Sequence, residues 1–128
     1  MHDDGPEGLR LLREAGVRLV TLTNGTVALS EGAFARADVL NLFEARLSVD
    51  DVGRWKPAAD AYQYAARVTG EPPGRLTLVA SHPWDVDGAV RAGLGGAWLN
   101  RRGARYPSYM RPPTVTGTCL PDLARALI

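Results

Sequence analysis

Helical period and short apolar runs alternate along the whole of this 128-residue chain, and no other feature narrows its fold as much. Pro6 to Gly16 reads as a helix, with proline in its first turn, Leu9, Leu12 and Ala15 on one face and glycine at the stop. Arg18 to Thr23 reads as a short strand ending in the Asn24-Gly25 turn. Thr26 to about Ala37 is a weaker helix interrupted by Gly32, and Ala45 to Val49 is a second strand. Pro57 to Thr69 predicts a helix that buries Ala61, Tyr64, Ala65 and Val68 and stops at Gly70.

Leu76 to Ala80 is a continuous apolar strand, the mark of a strand covered on both faces. Asp85 to Ala92 predicts a short helix ending at Gly93, and Gly96 to Leu99 another apolar strand. Tyr106 to Pro113 is a proline-containing loop. Val115 opens a last edge strand before a helix from about Pro121. Strands alternating with helices predict an α/β fold, a parallel sheet with helices on both faces. A chain of 13.8 kDa makes one such domain, spanning residues 1–128.

Composition excludes several classes of function. Net charge is +1 with mixed signs along the chain, so no basic stripe points to nucleic acid or to an anionic membrane surface. No apolar run approaches the roughly 20 residues of a membrane span. Cys119 is the sole cysteine, which suits a reducing cytoplasm. The start carries neither the basic nor the apolar region of a signal peptide, so a cytoplasmic, soluble protein is expected.

The chain has fifteen basic residues, and only Lys56 is a lysine. An ammonium is a compact point charge and a guanidinium a broad fork, and the two do not substitute for each other in a tight polar site. Ligands of parallel sheets bind at the carboxyl ends of the strands. Three polar clusters fall there: Thr23-Asn24-Gly25-Thr26, Lys56 ahead of its helix, and Ser81-His82-Pro83-Trp84-Asp85. Singly, each has a plainer reading. Thr23 to Thr26 is turn and cap chemistry, Asp85 is a helix cap, Lys56 is a solvated residue before proline, and Tyr62 is core. His82 is an exposed loop residue, and Trp55, Trp84 and Trp98 are packing.

Together and in order, Leu22-Thr23-Asn24-Gly25-Thr26, Trp55-Lys56-Pro57 with Tyr62, and the stretch from Leu78 to Ala89 resemble the second to fourth motifs of the haloacid dehalogenase-like superfamily. They are most similar to its type II L-2-haloacid dehalogenase branch, over about Pro6 to Arg101. The resemblance implies a three-layer Rossmann-like core and hydrolytic dehalogenation of short 2-haloacids, without cofactor or metal. In that chemistry an aspartate attacks the halogen-bearing carbon and water hydrolyses the ester. Lys56 matches the lysine that holds the nucleophile ionised. Asp85 matches its carboxylate partner, which helps to orient the water. Thr23 and Asn24 match the group that binds the substrate carboxylate, with backbone amides at a helix start. Tyr62 and Trp84 match pocket-lining residues. His82 stands where these dehalogenases usually have asparagine, and Ala80 where they often have serine.

The same superfamily contains magnesium phosphatases, which carry a carboxylate four residues before the position of Asp85, because magnesium takes hard oxygen ligands. Here that position is Ser81. Asp87, inside the predicted helix, points elsewhere. Two parts of the pattern have no match: the first strand, with its Asp-x-x-Gly-Thr nucleophile motif, and the helical cap. Asp3 and Asp4 have no strand before them and look like helix-start residues. The expectation is an N-terminally truncated core with little turnover of its own. The alternatives are a phosphatase or a non-catalytic anion-binding remnant, and a homodimer is the assembly allowed for. Without the first strand, the strands ending at Thr23 and Ala80 are expected to become neighbours, or to accept a strand from a partner chain.

Overall fold

The computed structural model describes residues 4–24, 32 and 34–128, and in them the alternation of period becomes five strands and four helices of at least eight residues. The strands are β1 (Val20–Thr23), β2 (Ala45–Ser48), β3 (Thr77–Ala80), β4 (Gly95–Leu99) and β5 (Val115–Gly117). The helices are α1 (Gly5–Glu14), α2 (Ala59–Thr69), α3 (Pro83–Arg91) and α4 (Leu120–Leu127). Most of the expected helix from Thr26 to Ala37 lies outside the described residues, although 32 and 34–36 are helical.

Every strand pairing is parallel, but the strands form two sheets. β1 pairs with β2 from Val20↔Ala45 to Thr23↔Ser48, and β4 lies between β3 and β5. Strand side chains alternate between faces. Leu78 therefore packs with Tyr62, Ala89 and Leu94 beneath α2 and α3, while Val79 packs with Ala97, Leu99 and Leu123 against α4. Leu9 and Leu12 of α1 join Leu19, Val39, Phe43 and Ala124 in a further cluster. The α/β layering expected from the sequence is thus present.

The expectation that β1 and β3 become neighbours is not met. They are not hydrogen-bonded, and no strand of the described residues lies between them. Their spacing is fixed by what packs beneath and bridges across. Leu22 and Leu78 rest on the same Tyr62–Ala89–Leu94 cluster. At the amino ends, Arg18 binds Glu44 through two hydrogen bonds of 2.7 and 2.8 Å and reaches Glu71 at 3.1 Å. At the carboxyl ends, Asn24 is bonded to Lys56 and Lys56 to Asp85. Both strands therefore run in the same direction. A cavity of about 220 Å³ opens between their amino ends, lined by Val17, Arg18 and Val20 on one side and Glu71 and Leu76 on the other.

That open edge explains a second departure. β3 reads as a strand covered on both faces, yet Thr77 is exposed and Leu78 to Ala80 are half-buried. The covered strand is β4, which has a neighbour on each side and four buried residues. Helix α2 departs in phase. Its buried residues are Ala61, Tyr62, Ala65 and Ala66, while Val68 is 46% exposed and Tyr64 half-buried, so the inward face lies about one residue round from the expected one. It also begins at Ala59, leaving Lys56 and Pro57 in a turn before it. Ala15, expected on the buried face of α1, is exposed beyond its end.

Asp4 sits at the start of α1 but makes no side-chain cap to that helix. Its carboxylate accepts from Leu120 N–H at 2.7 Å, the first turn of α4, and from Arg101 at 2.7 Å. Asp4 thus ties the first helix to the last. Burial works to raise its pKa, but the Leu120 amide and the Arg101 guanidinium outweigh that and hold the carboxyl below 3.8. A carboxyl with a lowered folded pKa contributes stability above its unfolded value, lost as pH falls through the folded one. Asp4→Ala should lower unfolding free energy by about 1–2 kcal/mol near neutral pH, as loss of a helix cap does. The difference from the parent should shrink below about pH 4 in urea titrations.

Candidate active site

The carboxyl ends of β1 and β3 bring together four residues that lie far apart in sequence. Asp85 is in the first turn of α3, 5% exposed, and its Oδ2 accepts from Lys56 Nζ at 2.8 Å. The Lys56 and Asp85 side chains are only 10% and 8% exposed, so the pair is largely out of water. Tyr62, fully buried on α2, donates its hydroxyl to Asp85 Oδ1 at 2.6 Å and approaches the Asp85 carbonyl at 3.1 Å. Each carboxylate oxygen therefore has its own donor. Buried ionised groups persist only when paired and hydrogen-bonded in this way.

Asn24 completes the set from the end of β1. Its Oδ1 accepts from Lys56 N–H at 3.0 Å, and its Nδ2 donates to Lys56 C=O at 3.5 Å. The amide thus grips the backbone of Lys56 and fixes where its ammonium starts. Thr23 ends β1 beside Asn24, half-buried and in register with Ser48. Gly25 and Thr26, which follow in the same motif, lie outside the described residues, as does Asp3.

His82 and Trp84 flank Asp85 on the outer side. Both are exposed, Trp84 at 37%, with ring centroids 5.7 Å apart. His82 also begins α3, its carbonyl accepting from Asp85 N–H at 3.0 Å, so Asp85 does not act as the cap that a plain reading allowed. Asp87 turns away from the site: it accepts from Arg111 N–H at 2.8 Å and faces Arg91. Ser81 is exposed, and its carbonyl accepts from Trp98 Nε1 at 3.0 Å. Among the described residues no group of three His, Cys, Asp or Glu side chains is placed to hold a metal ion.

Tyr62 raises its own testable consequence. Burial first, then the hydrogen bond to Asp85, pushes its phenol well above the ordinary 10.0. A raised folded pKa contributes stability present below the unfolded value and lost as pH rises through and beyond it. Tyr62→Phe should cost about 1–3 kcal/mol at pH 7, because a buried carboxylate oxygen loses its donor. It should also flatten the loss of stability above about pH 10 relative to the parent. Guanidinium titrations at pH 7 and 10.5 check both.

A family model described as haloacid dehalogenase-like hydrolase matches residues 1–93. The chain belongs to that family. Among haloacid dehalogenase-like relatives, haloacetate dehalogenase H-2 of Moraxella sp. is 33% identical over 108 residues, covering 84% of this chain and 48% of the relative. The solved L-2-haloacid dehalogenase RSc1362 superposes with a TM-score of 0.93 at 34% identity, over 98% of this chain and 56% of that one. The L-2-haloacid dehalogenase of Xanthobacter autotrophicus, solved with chloropropionic acid covalently bound, gives 0.90 at 25% identity, over 98% and 60%. This chain thus spans about half the length of the curated relatives it matches.

Sequence reasoning picked out Lys56, Asp85, Asn24 and Tyr62, and the structure joins all four by hydrogen bonds. It gave no site role to Gly88, which lies against Pro57 and Tyr62, or to the Trp98 bond that holds the Ser81 carbonyl. A glycine inside a helix that otherwise has no need of one was the available signal for Gly88.

Proposed function

We propose that this chain is the Lys56–Asp85 half of a hydrolytic dehalogenase acting on short 2-haloacids. The observation that carries the reading is the buried ion pair. Lys56 is a nearly buried ammonium, and one acceptor, Asp85 Oδ2, answers it among the described side chains. An ammonium has three donors, so it can serve a second carboxylate while remaining bound to the first. A carboxylate beside such a cation stays ionised at neutral pH and is competent to displace halide from carbon. That step forms an ester C–O bond and releases halide with the C–halogen electron pair. Asp85, oriented by Tyr62, then lies within reach of a water that cleaves the ester.

The attacking carboxylate has no matching motif in these 128 residues, and the reading assigns it to a strand-end aspartate entering between β1 and β3. Thr23 and Asn24 lie where the substrate carboxylate binds, and His82, Tyr62 and Trp84 make the nearby wall. The substrate is a small 2-haloacid. The reading places the protein in the cytoplasm, with a homodimer as its assembly. Among the described residues no helix is long and apolar enough to cross a membrane.

The competing chemistry is phosphoryl transfer, which would need a hard-oxygen magnesium site where Ser81 stands. The chain, complemented by the N-terminal segment of a homologous dehalogenase, should release chloride from 2-chloropropionate. It should release no phosphate from p-nitrophenyl phosphate with magnesium. Phosphate release without chloride release would reverse the assignment, and neither activity would leave a non-catalytic remnant.

A further inference from the structure

The geometry points to Gly88 as the positioning residue of the Lys56–Asp85 pair: its missing side chain is the space into which Tyr62 fits to hold Asp85. Gly88 lies in α3 three residues after Asp85, on the same side of the helix, and is buried. A β-carbon placed on it would stand 2.7 Å from Pro57 Cβ, 2.8 Å from the Tyr62 hydroxyl oxygen and 3.0 Å from Tyr62 Cε2. None of these neighbours is the loose end of a flexible chain. Pro57 is a ring that follows Lys56 directly. Tyr62 is fully buried, and its hydroxyl is committed to Asp85 at 2.6 Å. A methyl group at residue 88 must therefore displace the ring that orients the carboxylate, the turn that carries the lysine, or both.

Local helix chemistry argues against glycine here. Alanine is the better helix former at an interior position, so a glycine of no consequence should gain stability on replacement. The two readings thus predict opposite signs. Gly74 supplies the control, since a β-carbon there meets nothing within 4 Å.

Gly88→Ala should melt at lower temperature than the parent, whereas Gly74→Ala should not. The specific signature is the Tyr62 phenol. In the parent its burial and its bond to Asp85 keep it from ionising in the folded range, so Tyr62→Phe should leave the tyrosinate absorbance curve at 295 nm unchanged. In Gly88→Ala one further tyrosine should titrate below pH 12 while far-ultraviolet circular dichroism reports a folded chain, and Gly88→Ala/Tyr62→Phe should remove it. A Gly88→Ala variant that melts higher and titrates like the parent overturns the inference. If Gly88→Ala does not fold, the variant that also carries Pro57→Gly and Tyr62→Phe decides: it removes both atoms nearer than 3.0 Å, so recovered folding supports the inference and no recovery overturns it.

The consequence for turnover rests on the dehalogenase reading. In the complemented enzyme Gly88→Ala should lower kcat about 10–100-fold, as misplacement of a reacting group does, with little change in KM. The titration needs no activity, so the positioning role and the functional reading fail separately.

Discussion

Lys56→Met is expected to lower the unfolding free energy by about 3–5 kcal/mol, the cost of leaving a buried carboxylate without its counter-charge. Asp85 is held at 5% exposure by α3, so it cannot swing out to water when the ammonium is gone. Tyr62 still donates to Oδ1, but Oδ2 loses the only partner it has among the described residues. Lys56→Arg should not rescue. The guanidinium is broader than the ammonium, and at a side chain only 10% exposed the larger head must displace its neighbours. Overpacking of that kind costs about 1–3 kcal/mol.

The double variant Lys56→Met/Asp85→Leu separates pairing from packing. It removes both charges, and the Tyr62 hydroxyl keeps its 3.1 Å approach to the residue 85 carbonyl. It should be more stable than Lys56→Met alone by at least about 2 kcal/mol, since an apolar pair often replaces a buried ion pair without loss. Urea midpoints of the parent, Lys56→Met, Asp85→Leu and the double variant give the cycle. Single variants costing under about 1 kcal/mol would mean a solvated surface pair, and the buried-site account would fail.

Much of this was legible in the chain and some of it was not, for identifiable reasons. The periods fixed the element types, and their ends moved by only a few residues. Helix α3 starts at Pro83 because proline suits a first turn, which places Asp85 within the helix instead of at its edge. What composition could not show was burial that depends on a neighbour. The apolar run of β3 reads as covered on both faces, and side chains do pack on both, but its β1-facing edge has no strand among the described residues, so Leu78 to Ala80 stay half-buried. The phase of α2 was missed because the buried stripe was drawn through Tyr64 and Val68, with Tyr62 left outside it. A hydroxyl satisfied by Asp85, 23 residues away, allows it to be buried completely. Likewise Asp4 was read as serving its own helix, while its partners are Leu120 and Arg101 at the far end of the chain.

The site was legible as an ordered set of motifs, and its geometry added the roles. Asn24 fixes the backbone of the lysine. Tyr62 holds the carboxylate that Lys56 holds from the other side. These contacts cross 32, 29 and 23 residues, beyond the reach of any local pattern.

The second large effect is on catalysis and concerns the facing edges of β1 and β3, which have no strand between them among the described residues. β1 and β3 point the same way, are not hydrogen-bonded to each other, and end beside the bonds that join Asn24, Lys56 and Asp85. A strand entering between them gains backbone partners on both sides, and its carboxyl end arrives at the ammonium. The most direct measurement is halide release from 2-chloropropionate by the 128-residue chain alone and with a co-expressed dehalogenase N-terminal segment that carries the strand-end aspartate. The account predicts no release from the chain alone and multiple turnovers from the pair. It also predicts loss of at least about 10³ in rate when Lys56→Met is used in the pair, the scale of removing a key electrostatic group. Turnover by the 128 residues alone, or undiminished turnover by the paired Lys56→Met variant, would contradict it.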